Sequence, residues 1–452
     1  MDGETKGVKT LLGDPKKAII KLSIPMIIAF SIQIIYNLVD AIWVAGLGTD
    51  ALAAIGFFFP FFFLLMSLAN GLAIGGGSAI SRMIGRRDKK GADSVATHTM
   101  IIMLILGVIF TVPLFLFSGN IFAVLGAGTA LNMTVSYAQV LFAGTMIIFF
   151  TNIATGILRS EGDVKRTMWA MMLGASINIV LDPIFIYSFG LGVAGAAWAT
   201  IISLGITSII LFYWLFLRKN TYVSFNFLNF KFKGKIIKDI FKVGLPSSIM
   251  HMSMSFSMII LNLILVGISG TFGVAVLTTG WRIATLATLP LVGIATAVVS
   301  VIGAAYGERK FKKLSTAFNY AVKIGLVVEI LLAIAIFVFA PQITALFAYS
   351  AASASIANDL IIFLRIMCLF YPVIAFGMFS SSMFQGTGRG TVALIVTVNR
   401  ALILTPLFAC LLPYVFGMGL MGVWWGFVIG NAIGVTITFI WAKLYIRNLD
   451  KT

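Results

Sequence analysis

Two aspartates stand inside long apolar segments of this sequence. Asp40 lies in the segment 18–46 and Asp182 in the segment 167–189. An ionised side chain at the centre of a bilayer costs at least about 2.5 kcal/mol, and such residues commonly mark the path of an ion. A carboxylate in apolar surroundings holds a proton more tightly, and carboxylate oxygens also suit hard cations. We therefore predict that both aspartates take part in ion coupling and do more than plug a gap between helices.

Three polar residues share a helix face with Asp40. Gln33, Tyr36 and Asn37 precede it at spacings that place all four side chains along one stripe of a helix that is otherwise apolar. Such a stripe has to face protein or a wet cavity, because lipid cannot satisfy polar groups.

The second aspartate has an amide one helical turn before it and a proline after it. Asn178 precedes Asp182, and Pro183 follows. Proline has no N–H to donate to the Ile179 carbonyl, which could free that oxygen as a ligand. Carboxylate, amide and carbonyl oxygens could hold Na⁺, whereas a hydrogen-bonded pair of acids would use the same groups for a proton. Coupling to H⁺ and coupling to Na⁺ both remain open at this point.

Fewer features of this kind occur in the second half of the chain. Glu329 and Arg282 lie in apolar segments, and we predict a polar pair between them, with a structural and a functional role equally open. Pro25 interrupts the first apolar segment. It is predicted to be either a fixed kink or a hinge that responds to the charge on Asp40.

The composition requires these residues to be held by membrane helices. Of the 452 residues, 60% are hydrophobic and only 10% are charged, too few to cover a soluble surface. We predict an all-α, multi-pass membrane protein with twelve transmembrane helices. The apolar segments are 18–46, 51–81, 94–118, 133–158, 167–189, 193–217, 237–268, 274–304, 315–340, 357–384, 392–415 and 420–446.

Basic residues follow every second segment, and the loops between carry none. This alternation predicts that the basic loops and both termini are cytoplasmic. The net charge of +17 therefore indicates orientation in the membrane and no nucleic-acid partner. We expect the protein to lie in the cytoplasmic membrane, with the lipid bilayer and small molecules as its partners, and to be a monomer.

The two halves of the sequence resemble each other. Leu181-Asp182-Pro183 matches Leu404-Thr405-Pro406, and similar pairs recur at separations between 221 and 227 residues. We predict two six-helix lobes, 1–217 and 237–452, joined by a basic cytoplasmic linker, 218–236, and related by a pseudo-two-fold axis along the membrane normal. Because the second half has no acid at the matching positions, ion coupling is expected only in the first.

Other chemistry finds little support in the sequence. There is no ATP-binding loop and no H-E-x-x-H motif, and His98 and His251 are the only histidines. We therefore predict no enzyme activity and no cofactor beyond the coupling ion. Cys368 and Cys410 lie in apolar segments and are expected to be free thiols. The run 75–77 of three glycines predicts close helix packing.

Several motifs together resemble the MATE family of multidrug and toxic-compound extruders, particularly its DinF-like branch. They include the first apolar segment, Gly156–Asp163, Asn178–Pro183, Gly190–Trp198 and Gln385–Gly388. The likeness covers nearly the whole chain. It implies a V-shaped, two-lobed antiporter that exports amphipathic, often cationic organic compounds in exchange for H⁺ or Na⁺ by alternating access.

The resemblance also implies roles for individual residues. In the DinF-like branch the counterpart of Asp40 is the proposed protonation site, and those of Tyr36, Asn178, Asp182 and Thr200 line the same region. Na⁺, if used, would bind at Asp40, Asn178, Asp182 and Thr200. The substrate cavity is assigned to Gln33, Asn37, Asn152, Met171 and Ser176. The superfamily also contains flippases, so export of a lipid-linked or polyisoprenoid substrate is the alternative function.

Overall fold

The computed structural model describes residues 5–218, 220–228, 230–347 and 355–451, and these ranges are built from helices. The helices of the first half are α1 Lys6–Leu12, α2 Pro15–Ala45, α3 Thr49–Gly85, α4 Lys89–Leu116, α5 Ser118–Val124, α6 Leu131–Ala143, α7 Thr145–Ser160, α8 Val164–Pro183 and α9 Gly192–Phe212. Those of the second half are α10 Gly234–Ser269, α11 Thr271–Gly307, α12 Phe311–Phe347, α13 Ala357–Met367, α14 Phe370–Gly386, α15 Gly390–Val398, α16 Thr405–Tyr414 and α17 Gly419–Leu449. π-helical turns follow α8, α9 and α15, at Ile184–Ser188, Tyr213–Leu217 and Asn399–Leu404.

The predicted number of membrane spans agrees with these helices. Among the described residues, ten helices are long and apolar enough to cross a bilayer, and two bent helix pairs bring the number to twelve. The bent pairs are Gly128–Ala143 with Thr145–Ser160, at 48°, and Ala357–Met367 with Phe370–Gly386, at 50°. The segments 133–158 and 357–384, predicted to be uninterrupted, are therefore each broken into two helices.

The internal repeat is visible in the backbone. Arg87 and Arg309 are the non-glycine residues of the described chain with positive φ, at 59° and 57°, and they occupy matching places after α3 and α11. Glycines with positive φ form matching pairs too, namely Gly48 with Gly270, Gly162 with Gly388, Gly190 with Gly417, and Gly192 with Gly419. The two halves thus turn between their helices in the same way.

Two compact units divide the chain. The first comprises Met1–Asp14 and Ile24–Ser248, and the second comprises Pro15–Ser23 and Ile249–Thr452. The division falls inside α2 and α10, whereas the sequence placed the lobe boundaries at 217 and 237. The reason at α10 is its close approach to α3 within the first unit, where a Cβ on Gly71 would meet the Gly244 carbonyl oxygen at 2.6 Å.

The three consecutive glycines of α3 face three different helices. A Cβ on Gly75 would meet the Ile240 carbonyl oxygen of α10 at 2.4 Å, and one on Gly76 would meet the Thr99 side chain of α4 at 2.6 Å. A Cβ on Gly77 would lie 3.4 Å from the Gly156 oxygen of α7. The predicted close packing is therefore present on three sides of a single turn.

Each unit has its own apolar core. Phe58, Phe142 and Phe149 are fully buried in the first unit, and the Phe58 and Phe142 rings lie 5.4 Å apart. In the second unit Phe363 packs edge-on against Trp424, with ring centroids 4.8 Å apart. These cores fix the helices that carry the polar residues described below.

The linker between the halves is attached to the first unit by side chains that accept its main-chain N–H groups. Glu161, just after α7, accepts two of these bonds, and α4 supplies the other acceptors. The bonds run from Tyr222 and Val223 to Glu161 Oε2 at 2.9 and 3.1 Å, from Ser224 to Asp93 Oδ1 at 2.7 Å, and from Lys233 to His98 Nε2 at 3.0 Å.

The attachment of the linker at Glu161 is expected to weaken as pH rises. Burial raises the pKa of this carboxyl from its ordinary 4.5 to about 8. Because the attached state holds the proton more tightly, its advantage is full below pH 4.5 and is lost as pH rises through about 8. Hydrogen exchange at Tyr222 and Val223, corrected for intrinsic rates, should therefore accelerate across this range.

Two variants test the assignment to Glu161. Glu161→Gln keeps an acceptor oxygen and cannot ionise, so protection should no longer depend on pH. Glu161→Ala removes the acceptor, so protection should be low throughout. Protection in the original chain that stays constant from pH 5 to pH 8 would contradict the prediction.

Candidate functional site

The two predicted aspartates meet within the first unit. Asp40 of α2 and Asp182 of α8 lie within hydrogen-bonding reach of each other, and Asp182 is fully buried. The Oδ1 atom of each is enclosed and has no hydrogen-bond partner among the described residues. Two ionised carboxylates only accept hydrogen bonds and repel each other. A bond between this pair therefore requires a proton on one of them.

Asn178 orients one side of the pair. With its amide nitrogen turned toward Asp182, it donates to Asp182 Oδ2 at 2.9 Å, and its oxygen accepts from the Thr200 main-chain N–H at 3.1 Å. The opposite orientation would offer an oxygen to the carboxylate and leave only a 3.4 Å contact from the amide nitrogen to Thr200 Oγ1. The first orientation satisfies both groups, and it directs a donor at the carboxylate.

Tyr36 completes the predicted set. Its hydroxyl shares a hydrogen bond with the Thr200 side chain of α9, and it lies within electrostatic range of both aspartates. The structure thus brings together all five residues predicted for ion coupling, on α2, α8 and α9. Among the described residues, no group of three or more His, Cys, Asp or Glu side chains could hold a metal ion.

Two tyrosines near the site were missed by the sequence reasoning. Tyr137 of α6 lies within electrostatic range of Asp40 and Asp182, with its ring packed edge-on on Phe58 at 5.2 Å. Tyr187, in the π-helical turn after α8, donates to the Trp43 carbonyl oxygen at 2.5 Å. The bond between Tyr187 and Trp43 connects the end of α2 to the π-helical turn that follows Asp182. Only the nearby Pro183 signalled that the helix departs from regular geometry there.

The residues assigned to the substrate cavity are dispersed. Asn37 and Ser176 are exposed, whereas Gln33 and Met171 are half-buried. Asn152 donates to the Ile148 carbonyl oxygen of its own helix at 2.9 Å. Within the described residues, none of these five forms a hydrogen bond with either aspartate. Their role in substrate binding stays a prediction.

The predicted pair of Arg282 and Glu329 does not form. Glu329 of α12 is fully buried, and in the part of the chain that the structure describes neither of its carboxylate oxygens has a hydrogen-bond partner. Arg282 of α11 is exposed. Both residues lie in membrane-spanning helices as predicted, but Glu329 is enclosed by protein whereas Arg282 is exposed.

In the second unit, the region that corresponds to the acid pair is held together by hydrogen bonds between residues that are not acids. The Ser257 hydroxyl of α10 donates to the Ala401 carbonyl oxygen at 2.8 Å, at the π-helical turn before α16. Thr405 stands where the repeat has Asp182, and it accepts from the Asn431 amide at 3.1 Å. Arg400 donates to the oxygen of the same asparagine at 2.6 Å. The acid pair therefore has no counterpart at this position of the repeat.

Comparison with known proteins gives consistent matches along the chain. A sequence model of the MatE family matches residues 25–184 and 246–411. The chain is 28% identical over 419 residues to the multidrug export protein MepA of Staphylococcus aureus (strain bovine RF122 / ET3-1), covering 92% of this chain and 91% of that protein. It is 49% identical to an outward-facing multidrug resistance MATE family transporter of the MOP superfamily, with a TM-score of 0.96 over 99% of both chains. It is also 48% identical to a MATE structure in the bent conformation, with a TM-score of 0.94 over 99% of both chains.

Proposed function

Because this chain belongs to the MatE family of multidrug efflux transporters, we propose that it exports amphipathic, often cationic organic compounds in exchange for protons. The family membership makes it a multi-pass membrane transporter with a twelve-helix, two-lobed fold, and not an enzyme. The contact between Asp40 and Asp182 carries the proposal. None of the relatives named above lends support to a lipid-linked substrate.

The proton is favoured over Na⁺ by the groups around the acid pair. A Na⁺ site would need several oxygen ligands directed at one point. Asn178 instead directs its N–H at Asp182, and its oxygen accepts from the Thr200 main chain. A proton shared between Asp40 and Asp182 lets one carboxyl group donate a hydrogen bond to the other, and Asn178 supplies the further donor to Asp182.

The same pair accounts for exchange between proton and substrate. When the pair loses its proton, both carboxylates are ionised, and the added negative charge favours binding of an organic cation. When a proton returns, this attraction weakens. Two ligands that lower each other's affinity at one site do so reciprocally, which is the thermodynamic requirement for antiport.

Pro25 is proposed as the hinge of the cycle. It lies in α2, the same helix that carries Asp40, and the helix is continuous through it in this structure. A proline weakens a helix locally by removing one backbone hydrogen bond. A related MATE structure is in a bent conformation. We propose that loss of the proton from the pair changes the bend of α2 at Pro25 and drives alternating access.

The setting is proposed to be a prokaryotic cytoplasmic membrane, with both termini cytoplasmic and a monomeric transporter. Basic residues concentrated in alternate loops support this orientation.

Efflux from proteoliposomes tests the choice of ion. With a cationic fluorescent dye as substrate, a pH gradient alone should drive export, and a Na⁺ gradient alone should not. Export driven by Na⁺ at equal pH would overturn proton coupling. Export that is indifferent to both gradients would overturn the antiport proposal itself.

A further inference from the structure

Glu329 is a buried acid that the proposed mechanism does not use. It lies in the middle of α12 and is fully enclosed by protein, and no described residue forms a hydrogen bond with either of its carboxylate oxygens. The matching residue of the first half, by the pairing of Arg87 with Arg309, is Gly107 of α4. The acid therefore belongs to the second half alone and does not duplicate the Asp40 site.

No cation in the described part of the chain neutralises this carboxyl group. Arg282 of α11 and Lys323 of α12 are exposed. Arg365 of α13 is exposed as well, and its guanidinium lies 5.3 Å from the Phe337 ring centroid. Lys443 of α17 donates to Asn319. An ion pair is thus excluded as the reason for the acid.

The helix faces around Glu329 are tightly packed. Gly325, one turn earlier on the same face, lies where a Cβ would meet the Phe379 ring of α14 at 2.3 Å and Leu291 of α11 at 3.0 Å. Ala333, one turn later, is buried. Glu329 therefore lies on the face of α12 that packs against its neighbours, away from lipid.

A second unpartnered polar group lies near the acid. Tyr371 of α14 is fully buried, its hydroxyl has no hydrogen-bond partner within the described ranges, and it lies within electrostatic range of Glu329. Cys368, just before α14, is close to the tyrosine, and its thiol donates to the Leu364 carbonyl oxygen at 3.2 Å. Among the described residues, Tyr371 interacts electrostatically with both Glu329 and Cys368.

A carboxylate cannot remain ionised at low cost in such surroundings. Burying a charge without a partner is so unfavourable that the group becomes neutral instead. We propose that Glu329 is a second proton-binding site, in the C-terminal half, which takes up and releases a proton during transport. The carboxylate and one proton give a carboxylic acid, with the new O–H bond on an Oε atom and the Tyr371 hydroxyl within electrostatic range.

This inference adds a second proton to the proposed antiport cycle, and it differs from the sequence expectation that coupling is confined to the first half. That expectation came from comparing the two halves of the sequence only at the positions equivalent to Asp40 and Asp182. Glu329 occupies a position on another helix, where the first half has a glycine. The two sites therefore titrate on separate helices and can be studied one at a time.

Infrared difference spectroscopy of the purified full-length transporter in lipid tests the proposal. The stretching band of a protonated carboxyl group should appear in the original chain, disappear in Glu329→Gln, and persist in Asp40→Asn. Adding a transported dye should diminish this band as the proton leaves. Tyr371→Phe should move the band without removing it.

The outcomes separate this proposal from the proposed function. Absence of a Glu329 band would overturn the proton site, and a band that stays constant with dye and from pH 5 to pH 9 would overturn its part in transport. If Glu329→Gln does not fold, Tyr371→Phe still reports the site, and an unshifted band would count against it. Efflux that survives Asp40→Asn would contradict the proposed function and leave a responsive Glu329 band as evidence for this site.

Discussion

Asp40→Asn is expected to abolish proton-driven export while leaving the folded protein intact. The amide has nearly the same shape as the carboxyl group and can donate to Asp182, so the contact between α2 and α8 is kept. It cannot take up a proton, and the link between the pH gradient and export is lost. One coupled proton sustains about a tenfold substrate gradient per pH unit. In the variant, proteoliposomes under the same gradient should reach equal dye concentrations on both sides.

Two further variants sharpen this prediction. Asp182→Asn should also abolish proton-driven export. The double variant should lose no more export than either single variant, because the two residues act as one unit. Asp50→Asn removes an exposed carboxylate from the first turn of α3 and should export at the original rate. Undiminished gradient formation by Asp40→Asn would refute the coupling role of the pair.

Gly75→Val in α3 is expected to cause a large loss of stability. The new side chain would collide with main-chain atoms of α10, since even a Cβ lies 2.4 Å from the Ile240 oxygen and 2.8 Å from Gly244 Cα. Backbone cannot rotate away as a side chain can, and overpacking commonly costs about 1–3 kcal/mol. We expect about 3 kcal/mol here, seen as a lower melting temperature and a reduced yield of monodisperse protein.

Gly56 of the same helix provides the matched control. A Cβ at this position meets nothing within 4 Å, so Gly56→Val should leave the melting temperature nearly unchanged. Both substitutions make the same chemical change in one helix, and helix propensity therefore cancels between them. Equal melting temperatures for the two variants would show that the approach of α3 to α10 is not tight.

The membrane helices could be predicted because lipid imposes length and apolar composition on each of them. The breaks within the fourth and tenth membrane spans could not be predicted from the sequence. The Gly144 break occurs where a Cβ would lie 2.1 Å from Ile201 Cδ1, a side chain of another helix. The sequence of an apolar segment does not show which side chain of another helix will lie against it. The compact units divide inside α2 and α10 for a related reason, since the division at α10 depends on how the glycines of α3 meet that helix.

The acids of the site could be predicted because a charge in an apolar helix is costly and therefore conspicuous. Tyr137 and Tyr187 carry no such signal, since tyrosine is common in apolar helices. The pairing of Arg282 with Glu329 was wrong because opposite charges in two spans do not determine which way each side chain turns. In the structure Glu329 is enclosed by protein, whereas Arg282 is exposed.

The attachment of the linker to Asp93, His98 and Glu161 has a consequence for proteolysis. Lys231 and Lys233 are exposed, so trypsin can recognise their side chains. Cleavage also requires the main chain to enter the protease as an extended strand, and a bound backbone has to detach first. The rate of nicking at these lysines therefore measures how often the linker leaves its acceptors, in native membranes and without any label.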